Sequence, residues 1–201
     1  MLDVFYPIVP DAAWAQRIVP LGVKTLQLRV KDAATARVRS EIAETLAICT
    51  AHGCELIVND YWREAIALGA RFIHLGQEDL AGADLGAIRA AGLQLGISTH
   101  THEELAIALN AAPDYVALGP IYETRLKAMR YPPQGLDRIG EWKRLAACPL
   151  VAIGGVTAER APGVLTAGAD SIAVITDFIT HPDPERRVRE WVRLADQARK
   201  P

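Results

Sequence analysis

Polar and acidic residues directly follow two apolar runs of this 201-residue sequence. The run Leu56–Val58 is followed by Asn59 and Asp60, and a later run ends at a glycine shortly before Glu78 and Asp79. Two carboxylates at neighbouring strand ends suit Mg²⁺, which proteins usually bind through one or two carboxylates together with substrate phosphates. A helix-capping role is the alternative for each aspartate, and Glu78 competes with Asp79 as the second ligand.

An amide and two cations alternate along another run. Gln27, Arg29 and Lys31 are separated by Leu28 and Val30, so in a strand they share one face. Arginine can hold a phosphate through two parallel hydrogen bonds, and lysine adds a point charge. A solvated, salt-bridged strand end is the alternative. We favour phosphate binding, because an arginine directed into a folded interior needs a partner.

Hydroxyl-bearing residues and glycines end three further runs. Ser98 follows one run, Gly154 and Gly155 follow the next, and Thr176 comes after the last. Glycine amides at the start of a helix can bind phosphate, although a tight turn would also explain the paired glycines. Ser98 could hydrogen-bond an anion, and the residues after the last two runs offer a second anion site. The chemistry therefore suits a reaction that joins a pyrophosphate substrate to a monophosphate substrate.

Two histidines near Ser98 offer a different chemistry. His100 and His102 could act as bases or metal ligands, but their surroundings supply no third ligand. Thr101 followed by Glu104 fits a capping box at a helix start. We therefore interpret both histidines as residues of a helix entry.

The elements that must position these groups alternate in type. Apolar runs without internal alternation indicate strands buried on both faces, and segments with helical spacing lie between them. Glycines at the helix-to-strand joints fit left-handed helix ends. The predicted strands are Val4–Val9, Thr25–Val30, Leu56–Val58, Phe72–Leu75, Leu93–Ile97, Tyr115–Leu118, Leu150–Ile153 and Ser171–Ile175.

Eight strands alternating with helices predict a parallel α/β sheet. We expect one domain, residues 1–201, folded as a closed, eight-stranded parallel (β/α)₈ TIM barrel, with a doubly wound sheet as the alternative. Pro7 cannot donate to a strand ladder, so we expect a bulge or an irregularity there. The long connection 119–135 follows the sixth strand and is predicted to lie on the active-site face.

Composition narrows the function classes. The formal net charge is −2, and no block of basic residues suggests a nucleic-acid partner. No apolar run is long enough for a membrane span, and the first residues do not resemble a signal peptide. The three scattered cysteines predict reduced thiols and a cytoplasmic location. The sequence allows either a monomer or a homo-oligomer.

Several of these motifs together resemble the thiamine phosphate synthase family, which is related to thiazole tautomerases. The resemblance covers nearly the whole chain, in family order. Its pieces are Gln27–Lys31, Asn59-Asp60, His74–Asp79, Gly96–Ser98, Asp114-Tyr115, Gly119-Pro120, Thr124 with Lys127, and Ala152–Gly155.

The resemblance implies a transferase of thiamine biosynthesis. It would couple hydroxymethylpyrimidine pyrophosphate to thiazole phosphate, giving thiamine phosphate and pyrophosphate, with Mg²⁺ required. The implied metal ligands are Asp60 and Asp79, and Asp79 rather than Glu78 follows from the resemblance alone. The pyrimidine pyrophosphate would be held by Gln27, Arg29, Lys31, Asn59 and Lys127. The other implied substrate contacts are Ser98, Thr124, Gly155, Ile175 and Thr176.

The family's mechanism is dissociative: pyrophosphate leaves first, and the thiazole nitrogen captures the pyrimidine-methyl cation. Arg29, Lys31 and Lys127 would act catalytically by neutralising the departing charge. This chemistry needs proximity more than a base.

The loop after the sixth strand departs from the family pattern, because Leu126 stands where a second threonine is usual. We expect this change to affect turnover or substrate preference rather than the fold. A thiazole tautomerase is one rival, but Pro120 stands where that family tends to carry a histidine. A non-catalytic binder of thiamine precursors is the other.

Overall fold

The computed structural model describes residues 2–123 and 131–199. Within them, eight parallel strands close into a barrel in chain order, and β1 pairs with β8. This confirms the predicted (β/α)₈ TIM barrel. The strands are Phe5–Val9 (β1), Thr25–Leu28 (β2), Glu55–Asn59 (β3), Phe72–Leu75 (β4), Gln94–Thr99 (β5), Tyr115–Leu118 (β6), Leu150–Ile153 (β7) and Ser171–Val174 (β8).

Helices connect the strands on the outside of the barrel. They are Ala12–Ile18 (α1), Thr35–His52 (α2), Trp62–Leu68 (α3), Gln77–Ala81 (α4), Leu85–Ala90 (α5), His102–Asn110 (α6), Gly135–Leu145 (α7), Ala161–Thr166 (α8), Thr176–Ile179 (α9) and Pro184–Ala198 (α10). A 3₁₀ turn, Val19–Leu21, follows α1. None of the described helices is long and apolar enough to cross a membrane.

Two apolar clusters fill the molecule, as expected for strands buried on both faces. The larger one lies between strands and helices, and the smaller one fills the barrel interior with side chains that include Tyr6, Ile57, Phe72 and Tyr115. The described cysteines are free thiols.

The strand that contains Pro7 pairs unequally with its two neighbours. Its ladder with β8 covers Phe5 to Pro7, whereas its ladder with β2 begins only at Ile8. A proline has no N–H to donate, so the irregularity expected at Pro7 takes the form of a shortened ladder on the β2 side.

The end of β2 differs from the prediction. The strand ends at Leu28 instead of Val30, although the N–H of Arg29 still donates to the carbonyl of Val9 at 2.9 Å. Arg29 and Lys31 therefore project from the segment after the strand. The prediction that alternation places Gln27, Arg29 and Lys31 on one strand face thus applies only to Gln27.

Candidate functional site

A cavity of about 1350 Å³ opens at the carboxyl ends of the strands. Every predicted site residue that the structure describes lines it, and these residues are Gln27, Arg29, Lys31, Asn59, Asp60, Asp79, Ser98, Gly155, Ile175 and Thr176. The other two, Thr124 and Lys127, lie outside the described residues, as does Leu126. The cavity thus collects side chains that are far apart in sequence.

Asp60 is held in an unusual backbone conformation at the end of β3. Its φ is +65°, a left-handed value that aspartate tolerates better than most residues. Its N–H donates to the carbonyl of His74 at 2.9 Å, which ties the turn to the neighbouring strand β4. The turn fixes where the carboxylate points, at the rim of the cavity.

The carboxylates of Asp60 and Asp79 lie close enough to interact. The pKa of Asp60 is raised to about 6, mainly by burial and also by the adjacent Asp79, and the positive charge of Arg29 opposes the shift. A carboxylate whose charge is disfavoured by burial and by a second carboxylate is a common sign of a functional site.

The donor set fits a hard divalent cation. A cation between the two carboxylates would relieve their repulsion, and Mg²⁺ accepts oxygen ligands of this kind while keeping sites for water and phosphate. No cluster of three or more His, Cys, Asp or Glu that could hold a metal occurs among the described residues. A cation bound by Asp60 and Asp79 would therefore take its remaining ligands from water and from substrate oxygens.

Asp79 and Glu78 both belong to the first turn of α4, and both are exposed at the cavity. The carboxylate that interacts with Asp60 is that of Asp79. Gly76 precedes the helix, and a side-chain carbon there would come within 3.1 Å of Asp79 Oδ2. The glycine therefore leaves room for the Asp79 side chain.

A row of buried hydrogen bonds crosses the floor of the cavity. Gln27 Nε2 donates to Tyr6 Oη at 2.7 Å, and Tyr6 Oη lies 2.9 Å from Tyr115 Oη. His74 Nδ1 lies 2.8 Å from Tyr115 Oη, and His74 Nε2 lies 2.8 Å from Ser98 Oγ. The predicted site residues include the two ends of this row but none of its three inner members, although His74 and Tyr115 lie within motifs that resemble the family.

Burial and the nearby Arg29 charge lower the pKa of His74 to about 4, so His74 is neutral at physiological pH. The apolar runs around the inner residues concealed them, since each was assigned to a buried strand. The sequence signal that could have revealed them is a titratable side chain within an apolar run, because such a side chain needs a polar partner when it is buried.

The opposite wall of the cavity is built from glycines and short helices. Gly155 follows β7 with φ +65°, and Ile175 and Thr176 begin α9. The N–H groups of Ile121 and Tyr122 donate to the carbonyls of Ile153 and Gly154 at 2.9 and 3.0 Å. The connections after β6 and β7 are thus joined by backbone hydrogen bonds.

Close packing explains the two glycines of this wall. A side-chain carbon at Gly154 would come within 2.6 Å of Pro120 Cβ, and one at Gly155 within 2.8 Å of Tyr122 Cβ. The sequence treated a tight turn as a sufficient explanation. The structure adds a steric reason, because the preceding loop lies directly against both residues.

The two histidines after β5 have structural partners, as predicted. Thr101 caps α6 by accepting from the N–H of Glu104 at 3.2 Å. His100 Nδ1 contacts Glu104 at 2.8 Å, and His102 Nε2 contacts Glu141 at 2.7 Å. His100 also stacks on Tyr131, with ring centroids 4.5 Å apart, and both rings line the cavity.

A model of the family described as thiamine monophosphate synthase matches residues 6–178. The chain belongs to the thiamine monophosphate synthase family. A thiamine-phosphate synthase of Rhizobium etli is 59% identical over 192 residues, which are 95% of this chain and 94% of the relative. Another, from Klebsiella pneumoniae, is 47% identical over 193 residues, covering 96% of this chain and 88% of the relative.

Solved structures share the fold. A thiamine phosphate pyrophosphorylase from Pyrococcus furiosus gives a TM-score of 0.87 at 23% identity, covering 99% of this chain and 98% of that chain. Membership of the thiamine monophosphate synthase family identifies the chain as a transferase that forms thiamine phosphate. Of the three functions considered from the sequence, namely a synthase, a thiazole tautomerase and a non-catalytic binder, the comparisons support the synthase.

Proposed function

We propose that the chain couples hydroxymethylpyrimidine pyrophosphate to thiazole phosphate, with Mg²⁺ bound by Asp60 and Asp79. The observation that carries this proposal is that two chemically distinct sets of residues line opposite walls of one cavity. One wall combines the carboxylate pair with Arg29 and Lys31, and the other presents the glycine turn after β7 and the start of α9. Such a cavity suits two phosphorylated substrates placed side by side.

The first wall would hold the pyrophosphate. Arg29 is half-buried and Lys31 is exposed, so one can supply a fixed fork and the other a mobile charge. Asn59 is buried at the end of β3 and lines the cavity. Its side chain opposes the rise in the pKa of the neighbouring Asp60 and so favours the charged form of that carboxylate.

The second wall would hold the thiazole phosphate. Gly155 brings the backbone close to the cavity, and Thr176 adds a hydroxyl at the start of α9. By resemblance to the family, Ser98 and Thr124 would contact the pyrophosphate or the second substrate, and Lys127 would contact the pyrophosphate.

The reaction breaks the bond between the pyrimidine methylene carbon and a pyrophosphate oxygen, and the bonding electrons leave with that oxygen. The thiazole nitrogen then donates its lone pair to the methylene carbon and becomes positively charged. Mg²⁺, when bound, neutralises charge on the leaving pyrophosphate. Arg29 and Lys31 stabilise the same charge, while the two walls hold the reactants at bonding distance. No side chain has to remove a proton.

The direct test mixes the purified chain with both phosphorylated substrates and Mg²⁺ and follows thiamine phosphate by chromatography. We expect product formation that a chelator abolishes and that added Mg²⁺ restores. Isomerisation of thiazole phosphate alone would instead support a tautomerase. Binding of both substrates without product would contradict the proposal and support a binder of thiamine precursors.

A further inference from the structure

The hydrogen bonds on the cavity floor form an unbroken row from Gln27 to Ser98, through Tyr6, Tyr115 and His74. The four residues from β1, β2, β4 and β6 are each at most 7% exposed, so water does not compete along the row. Ser98, at the far end, is half-buried and lines the cavity together with Gln27.

Each inner member of the row can donate only one hydrogen. A phenol carries one O–H, and a neutral imidazole has one N–H donor and one acceptor nitrogen. Burial raises the pKa values of both tyrosines and lowers that of His74. All three groups therefore stay neutral near pH 7, and the direction chosen by one bond fixes the direction of the next.

The direction follows from the Gln27 end. Because Gln27 Nε2 donates to Tyr6 Oη, the buried O–H of Tyr6 has an acceptor in this row only if it donates to Tyr115. The buried O–H of Tyr115 then has an acceptor in the row only if it donates to His74 Nδ1. His74 must then carry its proton on Nε2 and donate to Ser98 Oγ. The hydroxyl hydrogen of Ser98 is left to point toward the cavity, and so is the carbonyl oxygen of the Gln27 amide.

We propose that this row is a one-directional hydrogen-bond relay that couples the hydrogen-bonding sense of Gln27 to that of Ser98. Gln27 presents an acceptor to the cavity only while Ser98 presents a donor. Tyr6, Tyr115 and His74 are thus positioning residues, which set substrate specificity through Gln27 and Ser98.

The donor and acceptor that the relay presents to the cavity match one class of ligand. This inference rests on the proposed function. A ligand fits when it offers an N–H donor to Gln27 and an anionic acceptor to Ser98. An aminopyrimidine that carries a pyrophosphate has both groups. A ligand with the opposite arrangement would require every hydrogen in the row to reverse.

The surroundings hold the relay in place. The Tyr115 ring lies over Gly96, where any side-chain carbon would overlap the ring. His74 stacks on Tyr115 with ring centroids 5.6 Å apart and an angle of 21° between the planes. Gln77 Nε2 donates to the carbonyl of Ser98 at 2.7 Å, which fixes the strand that carries the end of the relay.

The tautomer of His74 tests the relay directly. Nitrogen-15 NMR of the substrate-free, full-length wild-type protein at pH 8 should show the His74 proton on Nε2. A proton on Nδ1 in the wild-type protein would overturn the proposal without any variant. Because no substrate is present, this result is independent of the coupling assay, so the relay and the proposed function can fail separately.

Gln27→Glu should reverse the relay from a distance. A carboxylate cannot donate to Tyr6, so Tyr6 would donate to it, and the His74 proton should move to Nδ1. In Tyr6→Phe/Gln27→Glu the connection is cut, and the His74 tautomer should match that of Tyr6→Phe alone. A His74 tautomer that is unchanged by Gln27→Glu would overturn the relay.

Kinetics supply a second measurement. Ser98→Ala should lower kcat/KM for the pyrimidine substrate about tenfold in the wild-type protein, the usual effect of a hydrogen bond to a charged group. In Gln27→Glu, where the Ser98 hydroxyl already points away from the cavity, the same change should cost less than about twofold. Equal costs in both backgrounds would contradict the coupling.

Discussion

At the scale of single residues, the metal-binding hypothesis depends on two carboxylates that the fold brings together from β3 and α4. Asp60 is placed by a left-handed backbone turn, and Asp79 by the first turn of a short helix. Burial and mutual repulsion hold the pKa of Asp60 near 6 in the absence of a cation. A cation bound between the two carboxylates would relieve this repulsion, so the pair favours cation binding.

Asp79→Ala should lower the coupling rate by at least about 100-fold, because removing a ligand takes away several kcal/mol of transition-state charge stabilisation. The matched control is Glu78→Ala, which removes the adjacent exposed carboxylate of the same helical turn. The control should keep near wild-type activity. Activity measured at several Mg²⁺ concentrations, with circular dichroism to verify folding, separates the outcomes. Equal losses in both variants would contradict the assignment.

Much of this residue-scale description could be predicted from the sequence. Strand ends marked by acids, cations or glycines indicated which side chains would meet, because parallel strands present their carboxyl ends on one face. Tyr6, Tyr115 and His74 could not be paired in this way. Their contacts depend on ring orientations inside the closed barrel, which periodicity does not encode.

At the scale of elements, the connections after β6, β7 and β8 are held by contacts that the sequence does not show. The prediction explained the glycines after β7 by turn geometry. The structure adds a steric reason, because the loop after β6 leaves no room for a side chain at either glycine. Local patterns predict where an element ends, but not which distant segment packs against that end.

Gly155→Ala can be compared with Gly53→Ala at almost the same φ, +65° and +62°. At Gly53 a side-chain carbon meets nothing within 4 Å, so we expect only the left-handed backbone cost of about 1 kcal/mol. Gly155→Ala should destabilise the protein more and raise the KM for thiazole phosphate, because it forces the loop away. Urea unfolding and initial-rate kinetics provide the measurements. Similar values for both variants would show that packing at Gly155 is loose.

Arg187 of α10 links that helix to α9, the short helix that follows β8. It donates to Asp177 Oδ1 and Oδ2 at 3.0 and 2.8 Å, and Trp191 Nε1 donates to the same carboxylate at 2.7 Å. Both side chains of the Arg187–Asp177 pair are only 10% exposed. Asp177 directly follows Thr176, so this pair positions the end of α9 that we propose to bind phosphate.

Arg187→Ala should cost about 3–5 kcal/mol of unfolding free energy, because it leaves the Asp177 charge buried without its partner. Arg186→Ala is the control, since Arg186 pairs with Glu190 on an exposed surface where such a pair contributes little. Adding Asp177→Asn to Arg187→Ala should recover part of the loss. Chemical denaturation measures all three; no recovery in the double variant would argue against an unpaired charge as the cause.

At the scale of the whole molecule, His74 makes stability depend on pH. Its pKa is about 4 in the folded protein and about 6.5 in an unfolded chain. The unfolded state therefore binds the proton first as the pH falls. Stability contributed by neutral His74 is complete above pH 6.5 and is lost progressively down to about pH 4, a difference of roughly 3 kcal/mol.

His74→Gln should flatten this dependence. Denaturation curves between pH 4 and 7 should give a smaller change in unfolding free energy for the variant than for the wild-type protein, even if the variant is less stable throughout. The raised pKa of Asp60 acts in the opposite direction, but it is common to both proteins and cancels in the comparison. Parallel curves would show that His74 titrates normally.

The seam between β1 and β8 affects how the protein is made. These strands contain the first and last ladder residues of the barrel, Phe5 and Val174. The amino end of a chain emerges from the ribosome first, so one edge of β1 has no barrel partner until synthesis has passed residue 174. Unpaired strand edges invite association with other chains. Nascent chains stalled before β8 should therefore bind chaperones that full-length chains no longer need.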